Sequence, residues 1–182
     1  EPLHFNPPIW RRIQVTGDCT LRKLHHFIQA AFGWSSAHLH EFSDGLNRYM
    51  PLDADFADMF EDALDDRKVK LKRVLKNTDR LRYLYDFGDS WDHRLVLESV
   101  APLTPDNRLP TCLKGAKACP PEDVGGLYGH DEVATWLRAG ARPDAVPEMF
   151  EDAAAAFDWL PLDYDPDAFD PAEATAAMRY WR

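Results

Sequence analysis

Three stretches of the chain alternate apolar and polar residues, which is the pattern of half-buried β-strands. The first runs from Pro7 to Val15, with its prolines at the start, where a strand tolerates them. The second and third cover residues 83–87 and 91–98 and include the two ends of the segment DFGDSWDH. We predict that these two strands pair antiparallel through a short turn at Gly88 and Asp89.

A helix is predicted directly after the first strand. Its apolar residues recur at helical spacing: Leu21, Leu24, Ile28 and Ala31. Asp18 or Thr20 can cap its first turn, and Gly33 stands where a helix commonly ends. The next stretch, HLHEFSDGLNRYM, is typical of a hairpin that turns at Asp44 and Gly45.

Helix-start signals predict three helices in the last third of the chain, opening at Asp131, Pro147 and Asp170. Before them, residues 101–129 are rich in proline and glycine and are predicted to form a long loop, which is usually functional or mobile. The predicted fold class is therefore α+β. We expect one domain over residues 1–182, with an antiparallel sheet, an early helix and a helical C-terminal third.

Composition narrows the class of protein. The chain has 182 residues, of which 45% are hydrophobic, so it can bury a sizeable core. Its apolar runs fall short of the roughly 20 residues that cross a membrane, and no membrane association is predicted. Three cysteines form an odd and sparse set, which favours the cytoplasm over a disulfide-bonded exterior.

Charge is segregated in the middle of the chain. Residues 53–66 carry seven acids and no base, and residues 67–82 carry eight bases and one acid. The basic run is a candidate nucleic-acid patch, formed by Arg67, Lys68, Lys70, Lys72, Arg73 and Lys76. The alternative is that these side chains are solvated or paired with the preceding acids. The net charge of −10 opposes approach to a polyanion and favours that alternative.

Carboxylates and histidines concentrate around the predicted hairpin of residues 83–98. We predict that they form one polar cleft: His38, His40, Asp86, Asp89, Trp91 and His93. Imidazole and carboxylate together suit Zn, Mn or Fe, so a divalent metal is a possible ligand there. Alternatively, a histidine beside a tryptophan completes a structural hydrogen-bond network, and aspartates at a glycine turn bond their own backbone.

The predicted loop contains a second candidate site, formed by Cys112, Cys119, Glu122, Asp123, Gly125 and Gly126. Adjacent glycines let a backbone approach a ligand closely, although they can also simply shape a turn. The cysteines lie seven positions apart, farther than zinc cysteine pairs usually lie, so we expect both thiols to pack within the proline-rich loop. A loop disulfide or a shared metal is the alternative.

Several stretches, taken in order, carry a resemblance to a known family. They are IWRRIQV, TLRKLHHFIQAAFGW, HLHEF, YDFGDSWDH and CLKGAKACPPEDVGG, followed by EMFEDAAAAFDWL and FDPAEATAAM. Together they resemble the plasmid pRiA ORF-three-like family, also labelled an insertion-element passenger TnpR family. The resemblance implies an α+β fold and an association with plasmids and mobile elements. It assigns no catalytic residue, and the chain has no recombinase nucleophile signature.

Three functions remain open from the sequence: the two that follow, and a protein-interaction domain that uses exposed aromatic residues of the predicted loop. The first is a non-enzymatic binding or accessory module of mobile elements, which has an unidentified protein as partner and needs no cofactor. The second is a metal-dependent hydrolase or phosphotransferase that uses the DFGDSWDH hairpin with His38 and His40. Direct binding of nucleic acid is a further possibility, and it rests on the basic run alone.

Overall fold

The computed structural model describes residues 8–52, 60 and 62–181. Its strands are β1 (Trp10–Gln14), β2 (His40–Ser43), β3 (Arg48–Met50), β4 (Ala63–Asp65), β5 (Arg80–Tyr85), β6 (Trp91–Val96) and β7 (Thr111–Ala116). Its helices are α1 (Leu21–Phe32), α2 (Leu71–Val74), α3 (Gly126–Arg138), α4 (Ala153–Trp159) and α5 (Pro171–Tyr180). The predicted α+β class, with an early helix and a helical C-terminal third, is confirmed.

Five strands form the main sheet in the order β4-β3-β2-β5-β6. All neighbours in it pair antiparallel except β3 and β4, which are parallel. The predicted hairpin is confirmed as β5 and β6, where Tyr83 faces His93 and Tyr85 faces Trp91. It is shorter than expected because β5 ends at Tyr85, after which Asp86 and Ser90 adopt positive φ angles.

Helix α1 covers one face of this sheet and follows the predicted pattern. Thr20 caps it by accepting a hydrogen bond from the backbone N–H of Lys23, and Gly33 ends it at a φ of 100°. Its apolar face packs into a core that includes Phe42, Tyr83 and Trp91 from the sheet. Helix α5 packs against both α1 and β7, and so brings the C-terminal third against the early helix.

The C-terminal half differs from the prediction in three places. The long loop contains a strand, β7, which pairs with β1 in a separate two-stranded sheet. Helix α3 begins at Gly126 rather than Asp131. The helix expected at Pro147 begins instead at Ala153, after the cap Asp152. β7 forms through pairing with β1, and α3 begins after Gly125, whose N–H donates to Asp89. The later helix begins where Asp152 caps it. The local content of proline and glycine does not reveal these contacts.

Candidate functional site

Four side chains from three separate segments form an acid–histidine cluster: His38, Asp86, Glu122 and Asp123. The Nε2 atom of His38 lies 3.7 Å from Asp86 Oδ2, 3.7 Å from Glu122 Oε2 and 3.2 Å from Asp123 Oδ1. That nitrogen is shielded from solvent and makes no hydrogen bond to any described residue. An imidazole therefore faces three carboxylates in one small volume.

The ends of two paired strands place His38 and Asp86 side by side. His40 at the start of β2 pairs with Tyr85 at the end of β5, so the residues just beyond them are neighbours. The backbone N–H of Asp86 donates to Leu39 O at 2.9 Å, and Asp86 Oδ1 accepts from the N–H of Gly88. Asp86 has a φ of 54°, and this left-handed turn directs Oδ2 toward His38.

Glu122 reaches the cluster from the loop between β7 and α3. Its carboxylate accepts hydrogen bonds from the N–H and hydroxyl of Ser35 at 2.8 and 3.0 Å, and from the Tyr85 hydroxyl at 3.0 Å. Trp34 Nε1 holds the same loop by donating to Pro120 O. Burial and the nearby Glu122 carboxylate raise the pKa of Tyr85, so its hydroxyl remains a donor at neutral pH.

Gly125 and Gly126 allow the loop between β7 and α3 to pack closely against the DFGDSWDH turn. The N–H of Gly125 donates to Asp89 Oδ2 at 3.2 Å. Gly126 has a φ of 69°, and a Cβ at that position would lie 2.7 Å from Asp89 O. The polar cleft and the ligand loop, predicted as two sites, therefore meet through Asp89 and through the cluster itself. Sequence spacing gave no signal of this contact, because Asp89 and Gly125 lie 36 positions apart.

His40 does not belong to this cluster. It lies in a buried histidine network with Arg22, His25, Asp66 and Tyr83. Its Nε2 is 2.8 Å from Asp66 Oδ2, and its ring stacks on His25 with a centroid separation of 3.6 Å. Burial lowers the pKa of His40 in spite of Asp66, so the imidazole is neutral and donates to the carboxylate. The structure thus places His40 apart from the other predicted cleft residues, His38 and Asp86.

Arg22 and Tyr83 complete the buried histidine network. Arg22 Nε lies 3.1 and 3.0 Å from the two oxygens of Asp66. Burial acts to raise the pKa of Asp66, but the hydrogen bonds from His40 and Arg22 outweigh it and leave that pKa lowered. The Tyr83 hydroxyl accepts from Gln29 Nε2 and lies 2.8 Å from His25 Nδ1. Burial also lowers the pKa of His25, so the network contains an ion pair and two neutral histidines.

His93 and Trp91 also lie away from the cluster. His93 is completely buried, and its Nδ1 is 2.8 Å from Trp91 O. Its ring meets Phe32 and Trp34 edge-on, with centroids 5.2 and 5.4 Å away. Burial lowers the pKa of His93 to about 3, so it is a neutral core residue. Of the six predicted cleft residues, the structure brings His38 and Asp86 together, and Asp89 supports them from the turn.

The two cysteines of the candidate loop, Cys112 and Cys119, pack in or against the hydrophobic core. Cys112 is buried in β7, where its N–H donates a hydrogen bond to the Thr175 hydroxyl of α5 at 2.9 Å. Burial raises the pKa of Cys112 and of Cys119, so both thiols are protonated at neutral pH. All three cysteines are free, and burial raises the pKa of Cys19 to about 12. These thiols do not provide an activated nucleophile.

The basic patch lies elsewhere, around α2, and its side chains are exposed. Lys70 and Lys72 both contact Asp18 Oδ1, at 3.0 and 2.7 Å. Arg67 and Lys68 pair with Asp65 at 3.0 and 3.6 Å. Arg73 and Lys76 are exposed on the same segment. Of the seven acids that precede the patch, the four at positions 53, 55, 58 and 61 lie outside the described residues. The predicted pairing of acids with the patch can therefore be compared with the structure only for Asp62, Asp65 and Asp66.

A groove of about 970 Å³ runs past Glu122 and Asp123. Its walls come from the end of α1, from the loop after β7, and from the segment that includes α5. Among its lining residues are Arg11, Phe32, Trp34, Trp159, Tyr164 and Phe169. The sequence did not predict this groove, because its walls come from separate segments, at residues 30–34, 118–123 and 159–177.

Within the described part of the chain, no helix is long and apolar enough to cross a membrane. One curated relative, the uncharacterized protein y4hQ of Sinorhizobium fredii, is 36% identical over 131 residues. That match covers 71% of this chain and 66% of the relative, which is slightly less than two thirds of its length.

A solved structure has a similar fold. It is the crystal structure of MM3350, a protein of unknown function from Methanosarcina mazei Go1, with a TM-score of 0.78 and 31% sequence identity. The similarity covers 94% of this chain and 91% of that one. Residues 3–173 match the family described as plasmid pRiA4b ORF-3-like protein. The chain therefore belongs to the plasmid pRiA4b ORF-3-like protein family.

Proposed function

We propose that the chain is a non-enzymatic binding module of plasmid-associated systems, and that the acid–histidine cluster holds a divalent metal ion. One observation supports this most strongly. The Nε2 atom of His38 is shielded from solvent, has no hydrogen-bond partner among the described residues, and faces carboxylates of Asp86, Glu122 and Asp123.

The spacing of these atoms suits a metal ion. Ligands about 2.1 Å from one ion lie about 3.0 to 3.4 Å apart in octahedral or tetrahedral geometry. The three distances from His38 Nε2 are 3.2 to 3.7 Å, so a small inward movement would complete the site. One imidazole with carboxylates favours Zn²⁺, Mn²⁺ or Fe²⁺. The Asp123 side chain is 71% exposed, which leaves one side of the ion open to a further ligand.

The test is a metal titration of the full chain after treatment with EDTA. We expect one equivalent of Zn²⁺ or Mn²⁺ to bind and to raise the melting temperature. His38→Ala and Asp123→Asn should both lose that response. Asp131→Asn is the matched control, because Asp131 is an exposed acid outside the cluster, and it should bind as the wild type does. Wild-type protein that binds neither ion at millimolar concentration would rule the metal site out.

A metal-dependent hydrolase or phosphotransferase is the second candidate. It is favoured by the position of the cluster, since Glu122 and Asp123 also line the groove, where a substrate could reach a metal-bound water. Phosphodiester and phosphomonoester hydrolysis by the metal-loaded chain separates the two functions. Turnover that His38→Ala abolishes supports the enzyme, whereas metal binding without turnover supports the binding module.

For the basic patch, we infer a surface whose charge is balanced by neighbouring acids, rather than a site that binds nucleic acid. The supporting observation is that Asp18 and Asp65 already pair with four of its six basic side chains. A DNA anisotropy titration at low salt tests this inference. Binding at micromolar protein that weakens steeply with salt, and that Lys70→Glu with Lys72→Glu reduces, would show instead that the patch binds phosphate backbone.

A further inference from the structure

Arg11 of β1 is held in one orientation by uncharged groups. Its Nε donates to Ala31 O at 2.9 Å, and its Nη1 donates to Trp10 O at 2.9 Å and to Ala116 O at 3.0 Å. These bonds use three of the five N–H groups of a guanidinium. The cation is therefore positioned by three backbone carbonyls from three elements of the fold.

Two aromatic rings fix the guanidinium further. Its central carbon lies 3.8 Å from the ring centroid of Phe169 and 4.8 Å from that of Phe32. A cation over an aromatic face is attracted to the ring and loses freedom to rotate. Arg11 thus cannot turn toward bulk solvent without losing contacts on several sides.

The remaining nitrogen of Arg11 is uncommitted. Nη2 donates to no described residue, and no carboxylate of the described residues forms an ion pair with this guanidinium. Burial lowers the pKa of Arg11 to about 10, which still leaves it charged at neutral pH. A charge that is partly removed from solvent is ordinarily paired with an opposite charge. Here that charge lines the groove, where a ligand can supply the missing anion.

The other lining residues limit what such a ligand can be. Phe32, Trp34, Trp159, Tyr164 and Phe169 offer aromatic surface next to Arg11. Four acids line the same groove: Glu122, Asp123, Asp170 and Glu173. They repel a ligand that carries many negative charges, such as a nucleic-acid strand. A single negative group therefore fits at Arg11, and an uncharged aromatic body fits along the groove.

We propose that the groove binds a small aromatic monocarboxylate, with the carboxylate on Nη2 of Arg11 and the ring against the aromatic wall. The ligand completes the ion pair that Arg11 lacks in the chain itself. Binding at this site requires no metal, so its test is independent of the test of metal binding at the acid–histidine cluster.

The experiment compares phenylacetate with phenylacetamide, which has the same shape and no charge. Binding to the EDTA-treated full chain is measured by ligand-observed NMR and by calorimetry. We expect phenylacetate to bind at least about tenfold more tightly, because a charge-assisted hydrogen bond distinguishes the two molecules. Arg11→Gln should remove the preference for the acid.

Because Arg11 also supports the fold, a second variant leaves it intact. Ala177 is an exposed residue of α5 that lines the groove, and Ala177→Phe should fill the groove and weaken phenylacetate binding by tenfold or more. Ala176→Phe places the same ring on the adjacent exposed position and should bind as the wild type does. Equal affinity for acid and amide, no binding at millimolar concentration, or normal binding by Ala177→Phe would each overturn the proposal.

Discussion

The acid–histidine cluster and the buried histidine network combine the same side-chain types with opposite results. In the network, Asp66 is fully buried and accepts hydrogen bonds from both His40 and Arg22. In the cluster, His38 Nε2 faces three carboxylates and has no hydrogen bond to any described residue. His38 and His40 are only two residues apart in sequence. The comparison shows that pairing and depth, rather than residue type, separate a structural site from a candidate ligand site.

The largest expected loss of stability is in the buried histidine network. Asp66→Asn removes the charge that balances Arg22, and should lower the free energy of unfolding by about 3 kcal/mol. Urea denaturation at pH 7 measures this change. The control is Asp92→Asn, which breaks the more exposed pair with Arg82 and should cost less than about 1 kcal/mol. Equal losses in the two variants would mean that the buried histidine network stabilises the fold no more than the exposed pair of Asp92 with Arg82.

The next effect concerns pH. The folded pKa of His93 is about 3, below the value of about 6.5 in an unfolded chain. The unfolded state therefore binds the proton first, so the stability that neutral His93 contributes is full above pH 6.5 and is lost as the pH falls toward 3. This one residue should account for about 1.4 kcal/mol per pH unit in that range.

His93→Leu tests that slope. Urea denaturation between pH 4.5 and pH 7 should show a smaller loss of stability in the variant than in the wild type, by about 2.7 kcal/mol at pH 4.5. Parallel pH profiles would show that folding does not lower the pKa of His93, and hence that it is not the neutral core residue described above.

A smaller loss of stability is expected at the contact between Gly126 and Asp89. Gly126→Ala places a Cβ about 2.7 Å from Asp89 O, at a residue with a φ of 69°, and should cost about 1 to 3 kcal/mol. Gly125→Ala is the matched control, because its φ of 85° is also left-handed but its Cβ would meet nothing within 4 Å. Thermal unfolding of both variants isolates the cost of the contact with Asp89, and equal costs would contradict it.

The smallest change in stability is expected in the open cluster. In EDTA, Asp123→Asn should alter the free energy of unfolding by less than about 0.5 kcal/mol, because this exposed carboxylate supports no packing. With Zn²⁺ or Mn²⁺ at one hundred times its dissociation constant, the wild type should gain about 2.7 kcal/mol and the variant should not. A loss in EDTA comparable with that of Asp66→Asn would make the cluster a structural site like the network.

Local signals in the sequence determined the early helix and the central hairpin. Helix α1 follows its apolar spacing and ends at Gly33, and the pairing of β5 with β6 follows alternation on either side of a tight turn. These features depend on neighbours a few positions apart, so a linear pattern contains the necessary information. Asp86 and His38 were predicted together from their residue types, as polar side chains that lie among predicted strands.

Only the tertiary structure decided the composition of the site. His38 and His40 have the same spacing signal, but β2 carries His40 under α1 to Asp66, while His38 lies beyond the strand beside Glu122 and Asp123. β7 forms because β1 supplies its partner about 100 positions earlier, and the groove with Arg11 exists only once α5 has packed on α1. Burial, hydrogen-bond partners and missing counter-ions depend on contacts between distant segments, and the linear pattern does not contain them.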